Sequence, residues 1–400
     1  MKKEKIGNIL QMQRGYDLPV SQMRNGQTPV VGSNGVIGYH DTAKCITPTI
    51  TIGRSGSAGK IHMYDTPTWV HNTALYLTDF KGNNPKYLYY LLQLLHLESL
   101  CGSSVIPSLN RNVVYPMVVN FHENREDQDA ISSILSKIDE KIAVNREINR
   151  NLEAMARQLY DYWFVQFDFP DENGKPYRSS GGKMVWNEKL KREIPEGWGV
   201  EKVSNLAATY SGGTPTSTKQ EYYSSPDIPW INSGELNEPF IAETTNFISE
   251  LGLAESSAKL YPANSILVAM YGATAGKVSF LSFEASSNQA ICGVIPKEEF
   301  LVEYIYFVLS SLCNHYVRIS SGSARDNISQ SIIRDTQLVF PAMSTIKLSH
   351  VIQKPIFSKI ISNYIEISKL QKQRDELLPL LMNGQVSVMP SEVNCDLSLD

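Results

Sequence analysis

Past residue 123, Ile131, Ile134, Ile138, Asn145, Ile148, Leu152, Met155 and Leu159 recur at alternating spacings of three and four, broken only at Lys141, with Ile142 beside it. That spacing puts apolar side chains on one stripe of an α-helix, and so long a stripe predicts a helix that pairs with another. The second helix is the stretch 344–383, where Ile352, Ile356, Ile360, Asn363 and Leu370 follow Ile134, Ile138, Ile142, Asn145 and Leu152 at a constant 218 residues. Pairing is expected through Ile134, Ile138, Asn145 and Leu152 on one helix and Ile352, Ile356, Asn363 and Leu370 on the other. Asn145 and Asn363 would fix the register, because two side-chain amides in an apolar seam pair only when aligned. Pro355 predicts that the second helix kinks or begins near that point.

Outside these stretches the periodicity shortens. Residues 28–37, 46–52 and 74–78 are β-rich runs separated by Gly, Asn and Ser, and 85–97 is a single helical patch. This predicts an α/β head with an irregular, mostly antiparallel sheet over residues 1–122, followed by a long helix over 123–168. Turn chemistry over 169–193 reads as a linker, 194–342 as a second head, 343–385 as the second long helix, and 386–400 as a disordered tail. The heads repeat each other. Gly-Arg-Ser-Gly-Ser-Ala-Gly-Lys-Ile at 53–61 returns as Met-Tyr-Gly-Ala-Thr-Ala-Gly-Lys-Val at 270–278, which sets Lys60 against Lys277, and residues 72–75 and 87–90 face 288–291 and 304–307. A repeat this long is a duplicated domain plus a duplicated helix.

Four hundred residues at 42% apolar content can build two cores. The five cysteines form no Cys-x-x-Cys pair, and no apolar run approaches a membrane span, so a cytoplasmic protein with no membrane association is expected. The net charge of −4 is unevenly divided. Residues 1–122 hold 11 Lys+Arg against 6 Asp+Glu, a balance of +5, whereas 190–342 hold 10 against 16, a balance of −6. The first head has the balance of a phosphate-binding surface; the second would depend on where its few cations lie.

Catalytic patterns are missing. The Gly-Lys turns are not nucleotide loops, because Ile61 and Val278 stand where a magnesium-binding hydroxyl is needed. No methyltransferase Asn-Pro-Pro-Tyr occurs, and Asn84-Pro85 reads as a helix start. Pro170-Asp171 is not followed by a nuclease's second acid and lysine, and no histidine pair has metal-ligand spacing. What the loops do carry is recognition chemistry. Arg14, Tyr16, Ser33, Asn34, Arg54 and Ser55 lie on Gly-punctuated turns of the first head, with Ser57, Lys60, His71, Asn72, Asn110 and Arg111. Thr214, Asn232, Ser233, Tyr271 and Thr274 do so in the second, with Lys277, Asn288, Gln289, Arg325 and Asn327. Arg can bridge guanine O6 and N7, and Asn or Gln adenine N6 and N7, while lysine meets phosphate.

Head, long helix, head, long helix resembles the specificity subunit of Type I restriction-modification systems, and the resemblance covers nearly the whole chain. It rests on Arg-Gly-Tyr-Asp-Leu-Pro at 14–19, Gly-Ser-Asn-Gly-Val-Ile-Gly at 32–38, Trp-Phe-Val-Gln-Phe-Asp at 163–168 and Ile-Pro-Glu-Gly-Trp at 194–198. Ser-Gly-Gly-Thr-Pro at 211–215, Ile-Pro-Trp-Ile-Asn-Ser-Gly at 228–234 and Leu-Leu-Pro-Leu-Leu-Met-Asn-Gly at 377–384 add to it. The Ile-Pro-x-Gly-Trp lead-in is missing before the first head, which reads as a short N-terminus, and Gln166 stands where the family commonly has an acid.

The resemblance implies an α+β fold with two target recognition domains, separated by two antiparallel coiled-coil helices in a pseudo-twofold internal repeat. It implies a non-catalytic subunit that reads a bipartite site in double-stranded DNA. Its partners would be two methylation subunits and the restriction (motor) subunits. S-adenosylmethionine, ATP and Mg2+ would be bound by those subunits and none by this chain. If residues 127–165 are helical throughout they span about 60 Å, and a paired strut of that length would set the unread spacer between half-sites. An assembly scaffold with two protein-binding heads is the alternative, favoured by the acidic second head.

Overall fold

The computed structural model describes residues 1–45, 47–101, 108–320 and 327–388. The chain forms two compact units, Met1–Ala143 with Lys369–Asp400, and Val144–Ser368, so that the division passes through both long helices.

In the first unit a four-stranded antiparallel sheet runs in the order Gln11–Arg14, Ala74–Asp79, Thr49–Gly53, Ile61–Tyr64. Its central strand, Thr-Ile-Thr-Ile-Gly, is buried at every position, as a β-branched run covered on both faces should be. It starts at Thr49, and residue 46 lies outside the described residues. Beside it stand a three-stranded sheet, Gly35–His40, Thr28–Gly32, Trp69–Val70, and the pair Lys2–Lys5 with Val118–Phe121. Asn84 caps the helix Pro85–Gln93 by accepting the Tyr87 amide at 3.1 Å.

The second unit repeats this strand order. Ala207–Ser211, Ile291–Pro296, Ser265–Ala269 and Val278–Leu281 form the large sheet, with Phe240–Ile241 added in parallel at its edge. Phe247–Ile248, Ile228–Ile231 and Ser286–Ser287 form the three-stranded sheet, and Gly199–Lys202 pairs with Gln337–Phe340. Residues 169–193, expected as a linker, are ordered and packed. Phe169 stacks on Tyr177 and Trp198 at 4.7 and 4.8 Å, and Met184–Asn187 pairs with Arg192–Pro195. Aromatic residues in that stretch, not its turn residues, decide its fate.

The central helix runs Arg125–Tyr160 and ends in a widened turn, Asp161–Val165, which carries Trp163 and Phe164 into the core of the second unit. The C-terminal helix runs unbroken from Met343 to Met382. It therefore begins twelve residues before Pro355. Val351, whose carbonyl Pro355 leaves without its helical donor, is exposed, so water can satisfy that oxygen. Gly384, with φ +66°, closes the helix, and residues 389–400 lie outside the described residues.

The helix seam differs from the expected one at every second position. Leu135, Ile142, Asn149 and Ala156 are buried, while Ile134 is half-buried, Ile148 is 37% exposed and Met155 48% exposed. Ile138 and Leu152 lie half-buried on the seam, as do Ile356 and Leu370, but Ile352 is 41% exposed, matching the shift of its counterpart Ile134. The amide pairing differs too. In the second unit Asn363 donates to Asn149 at 2.8 Å, Asn149 donates to the Ile360 carbonyl, and Asn145 turns to Glu366 at 3.1 Å. For antiparallel helices repeated at 218 residues, an Asn149–Asn363 contact makes Ile367 the opposite of Asn145. With no amide there, Asn145 takes the neighbouring carboxylate. In the first unit Asp139 accepts from Arg374 at 2.8 Å and from the Tyr90 hydroxyl at 2.6 Å.

Candidate nucleic-acid interface

In the first head five loops are tied into one patch. The His71 amide donates to the Val31 carbonyl, and the Gly15 amide to Ala74. Arg54 donates its amide to Thr73, and its carbonyl accepts from Leu109. Ser33 Oγ donates to the Ser55 carbonyl at 2.7 Å, and Lys60 Nζ to Asn34 Oδ1 at 2.7 Å. The second head ties matching loops by matching bonds. Asn288 donates to Ile231, Gly212 to Ile291, and Met270 to Ala290; the Met270 carbonyl accepts from Ile328; and Lys277 Nζ donates to Asn237 Oδ1 at 2.5 Å.

Two glycines allow the crossing of these loops. A Cβ on Gly15 would stand 2.3 Å from the His71 carbonyl oxygen, and one on Gly212 2.2 Å from that of Asn288, so any side chain would force the strands apart. The twin lysines stand on equally demanding turns, preceded by Gly59 at φ +87° and Gly276 at φ +82°.

The bonding also corrects the sequence alignment by one residue. His71, not Asn72, is the counterpart of Asn288: His71 Nδ1 accepts the Thr73 amide as Asn288 Oδ1 accepts that of Ala290. Asn72 therefore matches Gln289, and Asp17 matches Thr214. Both pairs are bonded, Asn72 Nδ2 donating to Asp17 Oδ1 and Thr214 Oγ1 to Gln289 Oε1. Arg54 matches the buried Met270 rather than Tyr271, whose counterpart is Ser55.

The remaining candidates divide by what already engages them. Arg14 reaches the Asn72 carbonyl at 3.4 Å and Asp17 at 3.6 Å. Tyr16 shares a 2.9 Å hydroxyl contact with Tyr76, under the Lys44 ammonium at 5.6 Å. Asn110 caps a short helix through the Asn112 amide, and Arg111 donates to the Met12 carbonyl at 2.9 Å, so both have folding roles. Asn232 heads a capping box with Glu235. Thr274 is buried and takes the Lys277 amide on its carbonyl. Ser57 and Ser233 are half-buried in their loops, Tyr271 and Asn327 are exposed, and Arg325 lies outside the described residues. Asp17 and Asn237 escape sequence reading, because each is defined by a partner tens of residues away.

Burial holds the His71 imidazole below its usual value, leaving it neutral near pH 7. The patches thus offer one lysine each, a half-buried Arg54 in the first head, and amides and hydroxyls in both: donors for phosphate and both donors and acceptors for base edges. Among the described residues no group of three His, Cys, Asp or Glu is placed to hold a metal, and no helix is long and apolar enough to cross a membrane.

Comparison with known proteins matches these features. The chain is 27% identical over 312 residues to the MjaIX specificity subunit of Methanocaldococcus jannaschii, covering 76% of this chain and 69% of that one. It is 28% identical over 358 residues to the HindI specificity subunit of Haemophilus influenzae, covering 76% and 77%. The crystal structure of a Type I restriction-modification S subunit from M. genitalium superposes with a TM-score of 0.64 over 95% of this chain and 96% of that one, at 17% identity, a likeness of fold. The model of the Type I restriction modification DNA specificity domain matches residues 1–154 and again 195–380, each a head with its long helix, and the chain belongs to that family.

Proposed function

We propose that this chain reads a two-part target in double-stranded DNA, one half with each head, as the non-catalytic specificity subunit of a Type I restriction-modification complex acting in the cytoplasm. The observation that carries the reading is the duplicated patch: five loops, one Gly-Lys turn and one lysine-to-asparagine bond, built twice on the same strand order. The lysines meet phosphates, and Arg54 with the amides at 72, 288 and 289 meets base edges. The two paired helices set the number of unread base pairs between the half-sites.

Methylation subunits dock on the helices in this reading. Its support is an exposed apolar stripe, Val144, Ile148 and Met155, spaced four and seven residues apart outside the buried seam. S-adenosylmethionine, ATP and Mg2+ belong to the methylation and motor subunits. Mapping methylated sites in cells that carry this chain with its methylation partner tests the whole reading. A split motif with a constant gap is expected; methylation without sequence preference, or a continuous motif, would overturn it. A gel shift over a salt series separates DNA from protein-only binding, which predicts no salt-dependent shift.

A further inference from the structure

We propose that Asp17 sets the base preference of the first head by locking the Asn72 amide, and that the second head lacks this lock. The inference rests on the DNA-reading function proposed above and names its discriminating residue.

The two heads place a bonded side-chain pair at the same backbone position, Asp17 with Asn72 and Thr214 with Gln289, beside the crossings at Gly15 and Gly212. The chemistry of the pairs differs. A carboxylate only accepts, so Asn72 must turn its NH2 toward Asp17; the reversed amide would set oxygen against oxygen. The Arg14 guanidinium lies 3.6 Å from the same carboxylate oxygen. Asn72 is left with its Oδ1 and its second N–H. That is the acceptor and donor pair that meets adenine N6 and N7, in one fixed sense. A threonine hydroxyl both donates and accepts, so Thr214 tolerates either orientation of Gln289, and the second head is permissive at its matching position. Asp17 is a positioning residue, acting on DNA through Asn72.

The test uses the full chain assembled with its methylation subunits and a duplex library randomised across both half-sites. Asp17→Thr gives the first head the second head's hydroxyl opposite its own Asn72, and Thr214→Asp gives the second head a carboxylate opposite Gln289. Asp17→Thr should relax one position of the first half-site by about ten-fold, the worth of one base-edge contact, and leave all others unchanged. Thr214→Asp should sharpen one position of the second half-site. Asp17→Asn, which keeps the size but can donate, should relax the same position as Asp17→Thr and guards against a folding defect. Unchanged preference in the first half-site would overturn the inference. So would weaker binding to every sequence at an unchanged melting temperature. If the unaltered chain selects no split motif from the library, the parent reading fails instead.

Discussion

Lys60 and Lys277 each stand on a glycine-dependent turn and are held by one asparagine, so their ammonium groups are exposed and pre-aimed. Removing either should reduce the slope of log affinity against log salt by about one and weaken all sequences alike. A loss confined to one base position in a salt series on Lys60→Ala would reassign that lysine from phosphate to base. His62 makes a second residue-scale prediction. Burial first, and Lys60 second, push its pKa below the ordinary 6.5, and its Nε2 has no partner among the described residues. The fold thus favours the neutral ring, so that contribution is complete above the unfolded value and is lost as pH falls through the folded one. Between about pH 7.5 and about pH 5 the melting temperature of His62→Phe should fall less than that of the unaltered protein. The twin lysines were legible in the sequence because a repeat displays them side by side. Asp17 and Asn237 were not, since their meaning lies in contacts 55 and 40 residues away.

At the scale of elements, the long helices were legible but their contact face only by half. Two stripes share Ile131, Ile138, Asn145 and Leu152 and differ in taking 134, 148 and 155 or 135, 142, 149 and 156 between them. The first is richer in large apolar residues, yet the second is buried, because an interior of Asn149 and Ala156 lets the helices approach and pair their amides. The exposed apolar residues left over belong to a surface, which hydrophobicity alone cannot distinguish from a core. The Asn149–Asn363 bond lies in the buried seam. Asn149→Leu alone should cost about 1–3 kcal/mol, because it strands a fully buried amide, whereas adding Asn363→Leu should recover most of that loss. Urea unfolding of the two singles and the double decides this, and additive losses would count against a coupled pair. Pro355 does not mark the helix start, because the helix already runs from Met343 and the residue whose carbonyl it frees, Val351, is exposed.

For the whole molecule, duplication is the property with the widest consequence. Each head closes its own sheets, its core is completed by side chains of the long helices such as Ile131 and Leu381 in the first unit and Ala156 and Phe357 in the second, and the matching bonds lie within a head. A head should therefore be replaceable as a unit. Exchanging residues 1–122 for the equivalent segment of a relative should change one half of the methylated motif and leave the other half and the gap intact. In the proposed reading the gap is set separately, by the paired helices. The seam repeats every seven residues, so inserting seven in both helices preserves the pairing face and lengthens each by about 10 Å, or about three base-pair steps. The motif mapped from such a double insertion should keep both halves and gain about three unread positions. An unchanged gap would mean that the helices do not measure it. A motif altered in its halves would mean that the heads do not read independently, and the duplicated patch would lose its meaning as two readers.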